Sequence, residues 1–370
     1  MKEGWQTKPF EDCIESVKYT RKIQRKDFLN AGHYPIVSQE ADFTNGYWDD
    51  EADVFKVTTP VVIFGDHTQV LKYVDFDFVL GADGVKILPP RNFLYPKFFF
   101  YQLQAVNFTS LGYARHYRLL KEMEIKYPPL AEQQRIVGLL DEAFEGLATA
   151  KANAEKNLQN ARALFESHLQ AVFTQRGEGW MEKPLRVICD FSQGVQVDVK
   201  LQSDLRKDQS QVRFLRIVDF TQGNEPERFI DNPGEKFLVC QSDISLVRYG
   251  ASTGFVCRGL EGAIANNLFR VIPKDGHVSN DFLYWFLKSP AFQDEIKEIM
   301  NGAAMPAISF GVINEIAVAF PPQRDQLAIV SKLESFAEET QRLARLYERK
   351  HAALEALKKS LLHQAFNGEL

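Results

Sequence analysis

The feature that most constrains this chain is that it is written twice. Gly4-Trp5, followed by Lys8-Pro9, returns as Gly179-Trp180 and Lys183-Pro184, an offset of 175. Asp42-Phe43-Thr44-Asn45-Gly46 returns as Asp219-Phe220-Thr221-Gln222-Gly223 at 177, and Phe98-Phe99-Phe100-Tyr101 answers Tyr284-Trp285-Phe286-Leu287 at 186. Tyr127-Pro128-Pro129, with Glu132-Gln133 and Ile136-Val137, returns at 193 as Phe320-Pro321-Pro322 with Asp325-Gln326 and Ile329-Val330. The offset only grows, as expected of a second copy that carries loop insertions. Each match is weak alone; their shared order makes the repeat.

Beyond the Pro-Pro pairs the offset stays at 193, so that Leu140 matches Leu333, Leu164 matches Leu357 and Phe173 matches Phe366. A long gap-free match free of internal proline suits a helix, where one inserted residue would rotate every later side chain. Apolar residues step by three and four, which predicts a heptad seam through Leu140, Leu147 and Leu164 and through Leu333, Leu343 and Leu357. Asn157 and His168 fall on that seam as register-setting or solvent-facing members. Helices of about 43 residues would each span roughly 65 Å and bury their stripes against each other. Residues 1–126 and 177–319 carry short β-type runs, such as Val61-Val62-Ile63-Phe64 and Ser245-Leu246-Val247, between Gly, Asp, Asn and Pro. The expected class is therefore α+β: two globules (1–126, 177–319) joined by two long helices (127–176, 320–370) in an antiparallel coiled coil, as a pseudo-twofold repeat. Asn367-Gly368-Glu369-Leu370 would then lie near Lys2-Glu3-Gly4-Trp5, making the chain nearly circular.

Chemistry is sparse. There is no G-x-x-x-x-G-K-[ST] phosphate loop and no H-E-x-x-H helix, and neither Pro-Pro pair follows an Asn or Asp as in amino-methyltransferase loops. Gly250-Ala251-Ser252-Thr253-Gly254 lacks the G-x-S-x-G spacing of a nucleophile elbow. Asp66-His67-Thr68 reads as a polar turn after a strand. Cys13, Cys189, Cys240 and Cys257 show no metal spacing, which predicts reduced, buried thiols and no metal site. Without an apolar run of about 18 residues or a signal-like start, the chain is expected in the cytoplasm.

A net charge of −5 excludes a uniformly basic nucleic-acid binder, yet local basic sets occur in both copies. Lys18, Arg21, Lys22, Arg25 and Lys26 fall within nine positions, and Arg115, His116, Tyr117 and Arg118 form a second knot. In the second copy Lys200, Arg206 and Lys207 precede Arg213 and Arg216, and Arg248, Tyr249, Ser252 and Thr253 shape a small-residue turn. Arg and Lys neutralise phosphates, and Arg pairs bidentately with base edges, so these residues are the candidate DNA contacts. The aromatic runs read as buried helices, and Trp5 and Trp180 as core anchors.

Tyr127-Pro128-Pro129-Leu130-Ala131-Glu132-Gln133-Gln134-Arg135-Ile136-Val137 and its poorer copy resemble the specificity subunit of type I restriction–modification systems. So do Val62-Ile63-Phe64-Gly65-Asp66-His67-Thr68 and Gly81-Ala82-Asp83-Gly84-Val85-Lys86, which are similar to one variety of target-recognition domain in that family. The resemblance implies two target-recognition domains, each reading half of a bipartite site in double-stranded DNA. It also implies helices that set the spacer and dock two methyltransferase (modification) subunits, with restriction (translocase-nuclease) subunits joining through those. S-adenosylmethionine, ATP and Mg²⁺ would belong to the partners, leaving this chain non-catalytic and without a cofactor. Two rivals stay open from the residues: a coiled-coil adaptor whose globules bind proteins, and a stand-alone nuclease or methyltransferase.

Overall fold

The two long stretches fold as single helices, Leu130–Thr174 and Gln323–Asn367, of 45 residues each. A computed structural model describes residues 4–82, 84–106, 112, 114–300 and 307–370, so that Lys2, Glu3 and Asp83 lie outside the described residues. The chain divides into two units, and each long helix contributes to both. The first unit holds Met1–Glu155 and Glu348–Leu370, and the second holds Lys156–Tyr347. In the first, Lys151 pairs with Glu355 at 3.0 Å and the Lys358 ammonium lies 5.1 Å from the Phe144 ring. Arg135 also donates to the Leu370 carbonyl at 3.0 Å. As one segment ascends the other descends, so they pack antiparallel. In the second unit His168 stacks on Phe336 at 4.8 Å, and Leu169 and Phe173 share a core with Val330 and Leu333.

The seam holds over part of its length. Leu140 and Leu333 are buried and Leu147 and Leu343 half-buried, but Leu164 and Leu357 are exposed, at 64% and 47%. Their neighbours Phe165 and Lys358 turn inward instead, as Leu158 does for Asn157 and Ala337 for Phe336. A turn of 3.6 residues lets inward positions drift one residue later than a 3.5-residue template places them. The gap-free match survives, because Leu164 and Leu357 are equivalent and both exposed.

The two globules share a frame. In one, Gln6–Pro9 pairs antiparallel with Glu124–Tyr127; in the other, Met181–Pro184 pairs with Ala317–Phe320, and Gln6↔Tyr127 and Met181↔Phe320 hold the same register. Each pair leads into a Pro-Pro step and a long helix. Behind it stands a three-ring cluster. Phe98 packs on Trp5 and Phe366, with centroids 6.4 and 5.1 Å away, and Phe282 packs on Trp180 and Phe173 at 6.3 and 5.3 Å. Phe98 and Phe282 are 184 positions apart, and the helices Pro96–Ala105 and Asn280–Lys288 carry them. The aromatic match is thus at 184; an offset of 186 aligns the wrong rings. Trp5 also shares its core cluster with Leu370, which brings the two ends of the repeat together inside the first unit.

The inserts differ. The first globule adds five strands around Phe78–Gly81 and a separate three-stranded sheet centred on Val61–Gly65. All five residues of Val61–Gly65 are buried, which suits a continuous apolar run covered on both faces. The second globule adds two four-stranded sheets, one built on Ile244–Val247 and Leu268–Pro273, the other on Gln211–Leu215 and Gly262–Ile264. The Asp-Phe-Thr match fails here. Asp42–Gly46 lies in a loop entering the strand Gly46–Trp48, whereas Asp219–Thr221 closes the short helix Ile217–Thr221. Cys13, Cys189 and Cys257 are buried, but Cys240 is exposed, which corrects the expectation for that thiol.

Candidate nucleic-acid interface

Gln133 and Gln326 show how the repeated motif fixes each globule to its helix. Both side chains are fully buried. The Gln133 amide donates to the Phe93 and Pro128 carbonyls at 2.9 and 2.8 Å, and its oxygen accepts the Tyr95 N–H at 2.7 Å. The Gln326 amide donates to the His277 and Pro321 carbonyls at 2.8 and 3.0 Å, and its oxygen accepts the Ser279 N–H at 2.8 Å. One glutamine satisfies three backbone groups that burial would otherwise orphan. Tyr95 and Ser279 are the N-caps of the short aromatic helices, so each clamp ties two helix starts together.

On that frame the first basic set is exposed. Lys22 leaves the strand Lys22–Ile23 toward solvent while Ile23 points inward. Arg25 lies 3.0 Å from Glu40, an exposed pair of small energetic weight that a phosphate can replace. The exposed Arg21 lies 3.6 Å from the buried Asp53, which also accepts the Trp48 Nε1–H at 3.0 Å. Lys18 and Lys26 make no ion pair among the described residues. The strand Val85–Leu88 links this set to the second knot. Its Ile87 N–H donates to the Tyr19 hydroxyl at 3.2 Å, and Lys86 sits 5.1 Å from the Tyr117 ring. Arg115 and Arg118 are exposed beside it. Lys86 is half-buried, 3.9 Å from the buried Asp66 carboxylate, and joins the candidate set by its place between the two knots, with the alternation Val85-Lys86-Ile87 as the signal for it. Burial, the largest influence, pushes the Tyr117 hydroxyl up, so it stays a neutral donor.

His116 does not fit a surface role. It is 1% exposed, and its N–H and ring nitrogen both meet the Asp66 carbonyl, at 2.7 and 3.0 Å. The Asp66 carboxylate accepts the Tyr117 N–H at 2.8 Å. The Asp66-His67-Thr68 turn thus locks the knot to the three-stranded sheet.

In the second globule the structure divides the candidates. Arg216 grips Asp219 with two guanidinium nitrogens at 3.1 Å, and Arg213 reaches Glu227 at 2.9 Å and Asp219 at 3.8 Å. The Asp219 side chain is almost wholly buried and accepts the Arg216 N–H at 2.7 Å at the start of the helix Ile217–Thr221. These two arginines hold a buried carboxylate between them, and removing both would leave that charge unpaired. Lys200 and Lys207 are exposed without an ion pair among the described residues, and Arg206 donates to the Asp208 and Gln209 carbonyls and lies near the Asp208 carboxylate. Arg248 is half-buried over the Phe310 ring at 5.8 Å. In the turn after Tyr249, Thr253 Oγ1 donates to the Gly250 carbonyl at 2.6 Å, and Ser252 is half-buried. Gly250 has φ of +100° with open space where a Cβ would stand, so its backbone can be approached closely. Among the described residues no group of three or more His, Cys, Asp or Glu could hold a metal ion, and no helix is long and apolar enough to cross a membrane.

Comparison with known proteins extends the pattern. The family model of the type I restriction modification DNA specificity domain matches residues 2–158 and again 177–348. The EcoBI specificity subunit of Escherichia coli is 24% identical over 315 residues, a match covering 75% of this chain and 66% of that protein. The MjaVIII specificity subunit of Methanocaldococcus jannaschii is 22% identical over 412 residues, covering 100% of this chain and 93% of its own. Among solved structures, one described as the structural basis underlying complex assembly and conformational transition of the type I R-M system aligns over 100% of this chain and 99% of its own. Its TM-score is 0.78 at 18% identity. The HsdS subunit from Thermoanaerobacter tengcongensis aligns over 100% and 98%, with a TM-score of 0.57 at 18% identity.

Proposed function

Since this chain belongs to the type I restriction–modification DNA specificity family, we propose that its two globules each read one half of a bipartite DNA target. The chain is the DNA-specificity subunit of such a system. The long helices set the gap between the half-sites and dock two methyltransferase subunits, through which restriction subunits join. The observation that carries this reading is one frame with two inserts. The Gln133 and Gln326 clamps, the paired strands and the three-ring clusters repeat, while the sheets mounted on them differ in strand number and order. A repeated frame presenting two dissimilar surfaces suits one partner geometry met twice and two sequences read once each.

The candidate phosphate contacts are Lys18, Arg21, Lys22, Arg25, Lys26, Lys86, Arg115 and Arg118 in one globule and Lys200, Arg206, Lys207 and Arg248 in the other. Methyl transfer and ATP-driven cleavage, with S-adenosylmethionine, ATP and Mg²⁺, fall to the partner subunits. The test is reconstitution. The purified chain should bind duplex DNA with a steep salt dependence and transfer no methyl group, then direct site-specific methylation once mixed with its modification subunit and S-adenosylmethionine. Methylation by the chain alone would overturn the assignment of roles.

A further inference from the structure

Residues 197–207 of the second globule hold the three most water-exposed large apolar side chains among the described residues: Val199 at 78%, Leu201 at 70% and Leu205 at 79%. Scattered exposed leucines are ordinary, but three within seven positions are not. Nor is the segment loosely placed. A 3-10 turn, Val199–Leu201, is closed by Leu201 N–H to Asp198 O at 2.9 Å and Gln202 N–H to Val199 O at 3.1 Å. The Gln202 amide donates back to the Val197 carbonyl at 3.0 Å, and Ser203 exchanges backbone hydrogen bonds with Phe229 at 3.0 and 2.8 Å. Lys207 N–H reaches the Gln211 side chain at 2.9 Å, and Arg228 pairs with Asp204. The loop is held against the strands Gln211–Leu215 and Phe229–Asp231, with its apolar tips in water.

Each tip adjoins a cation. Lys200 stands between Val199 and Leu201, and Arg206 and Lys207 follow Leu205. Of the loop's carboxylates, Asp204 is neutralised by Arg228, Asp208 accepts from Ser210 and stays charged near Arg206, and Asp198 is the remaining one in this segment. Apolar groups interleaved with exposed cations match the edge of a DNA duplex, where thymine methyls line the major groove between phosphate rows. We propose that this loop enters the major groove of the half-site read by the second globule, with Leu201 and Leu205 against thymine methyl groups and Lys200, Arg206 and Lys207 on flanking phosphates. The inference rests on the DNA-specificity reading and names part of its recognition surface.

The test uses the full chain assembled with its modification subunits and duplexes carrying the target defined by sequencing methylated motifs. Thymines of the relevant half-site are replaced one at a time by uracil, which removes only the methyl group. At one or two positions the parent should lose about fourfold in affinity per methyl, the worth of one buried carbon. The double variant L201S/L205S should bind roughly tenfold more weakly and lose nothing further on uracil substitution at those positions. K200Q/R206Q/K207Q should lower the log–log salt slope by about 0.9 for each phosphate no longer neutralised. Uracil effects of equal size in parent and variant would overturn the proposal. So would a half-site without an A·T pair, or a variant that binds DNA normally but no longer assembles with the modification subunits, which would make the loop a protein-docking surface. A parent that shows no site preference at all would instead remove the reading on which the loop rests.

Discussion

Replacing Gln133 by methionine keeps the volume and removes every polar atom. The Tyr95 N–H and the carbonyls of Phe93 and Pro128 then lose their partner at a site with no solvent exposure. At about 1 kcal/mol net per hydrogen bond, and up to ~3 for a buried group left unsatisfied, the loss should be about 3–5 kcal/mol. That is a large fraction of the ~5–15 kcal/mol typical of a domain. Gln326→Met strands the Ser279 N–H and the carbonyls of His277 and Pro321 in the same geometry, so its cost should agree within about 1 kcal/mol. Urea unfolding followed by tryptophan fluorescence measures both, because Trp5 and Trp48 report on one unit and Trp180 and Trp285 on the other. A loss below about 1 kcal/mol in either variant would refute the clamp, since surface changes already reach about half that. So would a large loss in one variant only.

Leu140→Ala and Leu333→Ala should each cost about 2–5 kcal/mol, whereas Leu164→Ala and Leu357→Ala should stay within ~0.5 kcal/mol; thermal melts of the four variants decide it. In native protein near pH 8, a disulfide-exchange reagent should titrate one thiol, Cys240. Burial pushes Cys13 up to about 11 and Cys189 and Cys257 up to about 12, so their thiolates form only on unfolding; a second fast thiol would contradict this. Neutralising Arg21, Lys22, Arg25 and Lys26 should flatten the salt dependence of DNA binding by ~0.9 for each phosphate these side chains neutralise, and an unchanged slope would remove the cluster from the interface. Seven residues added to each long helix at the unit boundary, after Glu155 and after Tyr347, lengthen it by ~10 Å. The methylated motif should then change its spacer, by up to about three base pairs at ~3.4 Å each, and keep its half-site bases.

What the sequence makes legible follows from how local each determinant is. The duplication, the helix starts at the Pro-Pro steps and the length of both helices are readable, because register and proline placement are properties of neighbours. Gln133 and Gln326 are visible as repeated letters, but their clamps are not, since Tyr95 and His277 lie some 40–50 positions away. The heptad pattern puts part of the seam one residue off, because Leu164 and Phe165 are both apolar and only packing selects between them. The basic sets are readable as composition, yet their roles are not. That Arg213 and Arg216 both face the Asp219 carboxylate is invisible in the letters, and His116 resembles a surface donor until the Asp66 turn covers it. Val199, Leu201 and Leu205 pass as ordinary strand-type residues, because exposure of an apolar group leaves no mark in the alternation.

Independent reading by the two globules is the central claim, and a domain exchange tests it. Residues 1–126 should be replaced by the matching segment of a specificity subunit with a different target, and the methylated motifs of cells carrying parent or chimera with the modification subunit should be sequenced. The expected motif keeps one half-site of the parent and the spacer unchanged, and takes its other half-site from the donor. A motif altered in both halves, or unaltered in either, would contradict the division of reading between the two globules.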